Sequence, residues 1–304
     1  MDNFAWTASA AQLQGPGFAL FQRELARFNH RRLEPGLPSA HWKHELESEA
    51  RVLAAERNFV QSVRERIAPL VRDIPTDVDA FIVWFERLRE SGPGQGDPLF
   101  PWLERAASLE QMRWFVEQEV AGEAGFDDLL ALTQVKMPEQ AKLEMARNYW
   151  DEMGRGNPKG MHGPLLERLA VSLGLQPRVE TTVWESLALA NTMAGLAANR
   201  RYAYHSIGAL GVIELTAPGR AKAVAAGLKR LKVPTGDRHY FDLHSILDVK
   251  HSLAWNAEAI HPIVAANPNV APAIAEGALM RLECGRRCFE RYRRELSVQL
   301  EQRD

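Results

Sequence analysis

The sequence predicts an all-α protein. Apolar residues recur at the three- and four-residue spacing of an amphipathic helix in almost every segment, and no stretch alternates with period two for long enough to be a confident strand. Prolines and glycines separate these segments. The 304 residues, 46% of them hydrophobic, can bury a large core without disulfides or a structural metal. We therefore expect a helical bundle with additional packed helices.

The helix breakers set the expected order of the elements. The clearest loop is 91–98, which contains three glycines and two prolines. Helices are expected over 18–32, 41–68, 75–88, 109–132, 138–154, 163–173, 182–199, 201–215, 220–230, 240–260 and 272–300. We place an N-terminal helical region at 1–104 and the core on which it packs at 105–304.

Charge and composition argue against several classes of protein. The chain has 37 Lys and Arg against 39 Asp and Glu, so no nucleic-acid partner is expected. It shows no secretory signal at its start and no apolar run near the roughly 20 residues of a membrane span. Cys284 and Cys288 lie four residues apart on one predicted helix, which suggests reduced thiols. We expect a cytoplasmic protein without a membrane partner.

The strongest local signal is the spacing of His244, Asp248 and His251. Positions i, i+4 and i+7 share one face of a helix. Two imidazoles and a carboxylate suit iron, manganese or zinc. Three solvated polar residues explain the triad, taken alone, equally well. Phe241 and Trp255 continue the same stripe, which favours a buried face where a metal would supply the missing partner.

Two weaker signals come from separate segments. Glu152 continues an apolar stripe and His162 begins another, although a glycine-rich helix end with a surface salt bridge explains this pair more simply. Glu214 ends an apolar helix in which Gly208 and Gly211 would let another helix approach closely. A buried acid there needs either a partner at the helix end or a cation.

The predicted helix 109–132 carries Glu119 and Glu123 in line with its apolar face, and a salt-bridged pair at the edge of the stripe is the simpler interpretation. The other carboxylates and imidazoles could hold two metal ions in a bundle core: Glu152, His162, Glu214, His244, Asp248 and His251. A ferritin-like site fits less well, because such sites use two Glu-x-x-His motifs. The second half of this chain has one obvious motif of this kind, Glu258 to His261, and no convincing second one.

This set resembles the ligands of the heme-oxygenase-like diiron oxidases, often labelled iron-containing redox enzymes. The family's pattern is matched, in chain order, by Glu152 and His162, then Glu214, then His244, Asp248 and His251. N-oxygenating members are similar but use one further carboxylate from a preceding helix. Glu119 is our choice for that seventh ligand and Glu123 the runner-up. The resemblance covers the chain from about residue 109 onward.

The resemblance implies a heme-oxygenase-like bundle that binds two Fe(II) ions per chain, uses O2 as co-substrate and does not bind heme. Similar proteins cleave C–C bonds of fatty or amino acids or oxygenate amines, so the expected partner is a small-molecule substrate. An external electron donor and a homodimer are compatible with it, and it singles out no separate catalytic residue.

Two alternatives stay open. The first is a metal-independent enzyme on the same fold, thiaminase-like or quinone-cofactor-forming, with a polar pocket around Tyr204 and His205. The second is a non-enzymatic iron-holding or interaction protein, whose arginine-rich stretch over 286–294 would bind an acidic partner.

Overall fold

The computed structural model describes residue 6 and residues 15–122 and 125–298, and α-helices dominate this part of the chain. The all-α prediction is confirmed, since these residues contain no strand. The α-helices are α1 Gly15–Leu33, α2 Trp42–Ile67, α3 Val78–Ser91, α4 Leu99–Arg105, α5 Leu109–Gly122, α6 Phe126–Thr133, α7 Glu139–Glu152, α8 His162–Ser172, α9 Trp184–Ala198, α10 Ala203–Arg230, α11 His239–Ala254, α12 His261–Ala266 and α13 Ala271–Glu295. No helix in the described ranges combines the length and apolar character needed to cross a bilayer.

Two buried apolar clusters hold these helices together. The larger joins α1, α2 and α3, through residues such as Phe21, Phe59 and Phe85, to α9, α10 and α13. The smaller joins α4, α5 and α8 to α10, α11 and α13, around Phe115 and Tyr292. Since α10 and α13 contribute to both clusters, they are the central pair of the bundle. A domain boundary at residue 104 stays a prediction.

The central pair crosses at two glycines. A Cβ atom on Gly208 of α10 would lie 1.8 Å from the carbonyl oxygen of Ile274, and one on Gly277 of α13 would lie 1.8 Å from that of His205. Real Cβ atoms essentially never approach within 3.0 Å of another heavy atom. Both positions therefore exclude any side chain, and the close approach expected at Gly208 is present.

Several expected helices differ from the structure. α10 runs through Pro218, where two separate helices were expected. Proline removes one N–H from the helix, but tertiary burial of residues on both sides, such as Leu215 and Leu228, outweighs that loss. Conversely, the expected helix 109–132 is divided into α5 and α6, because Gly125 has a left-handed φ of 67°. Glu123 lies outside the described residues.

The expected helix 240–260 is longer than predicted and changes its pitch. α11 passes into a π-helical stretch, Trp255–Ile260, which leads directly into α12. Such wide turns are frequent near functional sites. This one places the buried Trp255 indole against Gly211, and its Nε1 donates to the carbonyl oxygen of Ile207 at 3.2 Å. The contact ties α11 to α10.

Candidate metal centre

Four helices, α7, α8, α10 and α11, bring polar side chains into one buried region beside a cavity of about 180 Å³. Glu152 is the last residue of α7 and His162 the first of α8, while Glu214 lies within α10. The predicted triad lies along α11, with Asp248 and His251 buried and His244 half-buried. The six residues expected from separate segments therefore lie around one region of the bundle.

The ligand atoms form two groups that share one carboxylate. Glu152, His162 and His244 make up the first group, and Glu152, Glu214 and His251 the second. Within each group the candidate ligand atoms lie within 4.8 Å of one another. A carboxylate has two oxygens, so Glu152 can serve both groups. Two neighbouring cations joined by a carboxylate need this kind of arrangement.

The geometry of two imidazoles fits cation ligands better than hydrogen-bonding partners. His162 Nδ1 lies 2.7 Å from Glu152 Oε2 and His251 Nδ1 lies 3.5 Å from Glu214 Oε2, yet neither nitrogen makes a hydrogen bond of good geometry to any of the described residues. A buried polar atom without a partner is costly. A metal ion bound both to each nitrogen and to the nearby carboxylate would satisfy the two groups, so the residues present fit a metal.

In two of the histidines, the ring nitrogen that is not the candidate ligand atom has a polar partner of its own. The backbone carbonyl oxygen of Tyr240 lies 2.7 Å from His244 Nδ1, and Asp151 Oδ2 lies 3.1 Å from His251 Nε2. If these nitrogens carry the protons, His244 Nε2 and His251 Nδ1 keep their lone pairs for a metal. Arg155 in turn donates to the other oxygen of Asp151 at 2.5 Å. Sequence reasoning missed Asp151, which directly precedes Glu152.

Asn148 was also missed. Its side-chain amide donates to Glu214 Oε1 at 2.7 Å, and both residues are buried. This hydrogen bond orients the carboxylate, with the other oxygen, Oε2, toward His251. The available signal was spacing, because Asn148 lies four residues before Glu152 and therefore on the same face of α7.

A tight turn brings Glu152 and His162 together across ten residues. Two short 3₁₀ turns, Gly154–Gly156 and Pro158–Gly160, replace the regular helix. Gly154 has a φ of 59°, and a Cβ atom there would lie 2.4 Å from the carbonyl carbon of Gly160. Only glycine fits this close backbone contact.

The electrostatics of the site favour neutral imidazoles at two positions. Burial and the neighbouring His251 lower the pKa of His162 to about 4, and burial together with His162 lowers the pKa of His244 to about 4. Burial opposes the charge of His251 as well, but Glu214 and Asp151 raise its pKa to about 9. Burial, reinforced by Glu214, raises the pKa of Glu152 well above its usual value. These pKa values apply to the side chains without a bound cation. The positive charge of a cation would favour the deprotonated forms of these side chains.

Asp248 and Glu119 line the cavity but belong to neither group of ligand atoms. Asp248 interacts electrostatically with Arg220. Burial raises the pKa of Glu119, an effect that Arg281 opposes. Their assignment as metal ligands stays a prediction.

An all-α bundle that encloses carboxylates and imidazoles in two adjoining groups defines a helical protein with a candidate metal centre. The chain belongs to the family of iron-containing redox enzymes, whose family model matches residues 113–286, more than half of the chain. The family resemblance stated from the sequence is thereby confirmed.

Comparison with solved structures shows similarity to a CADD-like protein of unknown function from Nostoc punctiforme PCC 73102. The two share 17% sequence identity and a TM-score of 0.48, and the alignment covers 81% of this chain and 98% of that chain. The comparison with curated proteins gave no match.

Proposed function

We propose that this protein is a non-heme diiron oxidase or oxygenase. It uses O2 to oxidise a small amino-acid-like or fatty-acid-like substrate, by N-oxygenation or by C–C cleavage. The observation that carries the proposal is the pair of three-residue groups sharing Glu152. Membership of the iron-containing redox enzyme family supports iron as the metal.

The residues divide the work of holding two iron ions. His162 and His244 would hold one, Glu214 and His251 the other, and Glu152 would join them, with Asp248 and Glu119 as further carboxylate ligands. Bound iron supplies the one-electron and O2 chemistry that amino-acid side chains lack.

The polar residues behind the ligands fix the geometry of the site. Asp151 and the Tyr240 carbonyl hold His251 and His244 in position, and the Asn148 amide orients Glu214. A ligand held in advance loses less conformational entropy when it binds a metal.

The cavity beside the ligands would hold the substrate. Its apolar wall includes Phe126, Leu166, Met193 and Ile213, which would keep bulk water away from the reacting groups. Such a wall suits the aliphatic part of a fatty acid or an amino acid.

Iron content after anaerobic loading with ferrous iron tests the proposal. We expect about two irons per chain in the wild type and fewer in Glu214→Ala. Glu258→Ala is the matched control, because Glu258 binds Gln140 through a 2.7 Å hydrogen bond and does not line the cavity. The absence of stoichiometric iron, or equal iron in wild type and Glu214→Ala, would contradict the proposal.

Asp151→Asn tests the support behind His251. The substitution keeps the size of the side chain but removes the charge that stabilises a metal-bound imidazole. We expect iron affinity to fall by about 10- to 100-fold, measured by competition with a chelator. Unchanged affinity would show that Asp151 does not support a ligand.

Iron-dependent consumption of O2, lost in His244→Ala, would link the metal to turnover. Full activity in the presence of a chelator would instead support the metal-independent alternative. No contact between described residues favours that alternative, since His205 pairs with Glu276 at 2.8 Å and neither His205 nor Tyr204 lines the two cavities found in this part of the chain. Much of the arginine-rich stretch is likewise paired internally, for example Arg286 with Glu283 at 2.7 Å.

A further inference from the structure

A second cavity, of about 380 Å³, lies between α10, α11 and the segment 95–101 that leads into α4. The proposed substrate cavity contacts Ile213 and Ala217 of α10, whereas this one contacts Leu215 and Gly219. At 3.6 residues per turn, these two pairs lie on opposite faces of the helix. We refer to this second cavity, which the proposed function does not use, as the side cleft.

The side cleft borders one half of the candidate metal centre. Glu214 lines both cavities, and Ser252, which lines the side cleft, directly follows His251 on α11. His251 Nδ1 lies 3.5 Å from Glu214 Oε2. His162 and His244, by contrast, line the substrate cavity and do not line the side cleft. The cleft therefore approaches the half of the centre that Glu214 and His251 form.

The side cleft is open at the surface. Its wall includes the exposed residues Arg89, Gly96, Gly219 and Val249. A Cβ atom on either glycine would meet nothing within 4 Å, so no neighbouring group fills the space beside them. The buried Ser252 belongs to the same wall. The cleft thus leads from solvent to the interior of the bundle.

Several polar groups in the wall of the cleft lack a protein partner. Ser252 Oγ and Gln95 Nε2 make no hydrogen bond of good geometry to any of the described residues. The carbonyl oxygen of Glu214 lacks the usual helical donor, because Pro218, four residues later, has no N–H. Buried polar groups are normally paired with protein or with ordered water. Three such groups around one open cleft indicate that water occupies it.

We propose that the side cleft is a water-filled route from the surface to the Glu214–His251 half of the metal centre. One water molecule needs about 10–15 Å³ of such a cavity, so a volume of about 380 Å³ holds a connected chain of them. Water in this chain bonds to the Ser252 hydroxyl, the Gln95 amide and the Glu214 carbonyl. Protons and water then exchange with solvent without crossing the substrate cavity.

The role of this route rests on the proposed function. Each oxygen atom of O2 that ends as water takes up two protons, and two electrons from the substrate or an external donor. The apolar wall of the substrate cavity keeps bulk water away from the reacting groups. A separate polar route lets protons in and water out while the substrate stays in a dry cavity.

Hydrogen exchange at the C2 carbon of each histidine, followed by mass spectrometry of the metal-free protein in deuterated water, tests the route. Gly219→Leu places a side chain at the mouth of the cleft, where its Cβ atom meets nothing. We expect exchange at His251 to slow several-fold and exchange at His162 and His244 to stay unchanged. Gly163→Leu is the matched control, because Gly163 is an exposed helical glycine with equal space that lines the substrate cavity. It should leave exchange at His251 unchanged.

A second pair of variants blocks the cleft beside the metal centre. Ser252→Val adds bulk next to His251, whereas Ser252→Ala leaves the space open. Both substitutions remove the hydroxyl group, so the difference between them reports the blocked space alone. We expect exchange at His251 to slow in Ser252→Val and to stay at or above the wild-type rate in Ser252→Ala.

The outcomes separate this proposal from the proposed function. Unchanged exchange at His251 in both Gly219→Leu and Ser252→Val would overturn the route. Equal slowing in Gly163→Leu, or slowing at all three histidines, would also overturn it, because solvent would then enter by another path. Iron content is measured separately. Selective slowing at His251 in protein that cannot load iron would refute the oxidase proposal and leave the water route standing.

Discussion

Gly208→Ala tests whether the close crossing of α10 and α13 sets the geometry of the bundle. The new Cβ atom would lie 1.8 Å from the carbonyl oxygen of Ile274, whereas ordinary contact begins at 3.4 Å. The two helices must therefore separate locally by about 1.6 Å, because the obstructing atom belongs to backbone and cannot change rotamer.

The expected cost follows from this displacement. Overpacking of a well-packed core costs about 1–3 kcal/mol, and a clash with backbone belongs at the upper end. The better helix propensity of alanine returns about 0.5–1 kcal/mol. An unfolding entropy of about 2.1 cal/mol/K per residue, taken over 304 residues, converts a net loss of about 2 kcal/mol into a fall in melting temperature of about 3 °C.

The assay is thermal unfolding followed by circular dichroism at one scan rate. Gly219→Ala is the matched control, because Gly219 lies on the same helix and a Cβ atom there meets nothing within 4 Å. We expect the control to melt at or slightly above the wild-type temperature. If both variants melt together, the crossing is not tightly packed and the reasoning is refuted. Iron content should also fall in Gly208→Ala, since α10 carries Glu214.

Two further perturbations have expected outcomes. Gly154→Ala should lower iron content, because its Cβ atom would meet the backbone of the turn that joins Glu152 to His162. Gly163→Ala is the control and should not lower iron content, because a Cβ atom there meets nothing within 4 Å. Equal iron content in the two variants would contradict this role of the turn. Burial raises the pKa of Glu276, but hydrogen bonds involving His205 and Arg64 lower it overall, so its stabilising effect is complete above pH 4.5 and is lost as the pH falls through the lowered value. Glu276→Gln should therefore reduce the free energy of unfolding by about 1 kcal/mol at neutral pH and by progressively less below pH 4.5. Urea unfolding of variant and wild type at several pH values measures this reduction. A reduction that does not change with pH would refute the stabilising role of the Glu276 charge.

Most of the helices could be predicted from the sequence because they depend on local patterns. Apolar spacing located α1, α2 and α7 to within a few residues of their observed ends. The prediction failed where a neighbouring element outweighed a local signal. Pro218 lies inside α10 because packing on both sides keeps the helix continuous, and the left-handed Gly125 ends a pattern that looked unbroken.

The residue types around the candidate metal centre could also be predicted, because the spacing of His244, Asp248 and His251 places them on one face of a helix. The sequence could not predict how the candidate ligands are arranged around the site. The sharing of Glu152 between two groups and the supporting contact of Asn148 depend on atoms brought together from distant segments.

The sequence by itself determined the all-α class, the helical spacing of the α11 triad and the residue types available to bind a metal, since each follows from local periodicity and side-chain chemistry. Only the tertiary structure decided which oxygen faces which nitrogen. Asn148 and Glu214 are 66 residues apart, and Asp151 and His251 are 100 apart, so helix packing alone brings them into contact. The same packing places Arg220 and Arg281 beside one cavity, because α10 and α13 cross where two glycines leave room for their backbones.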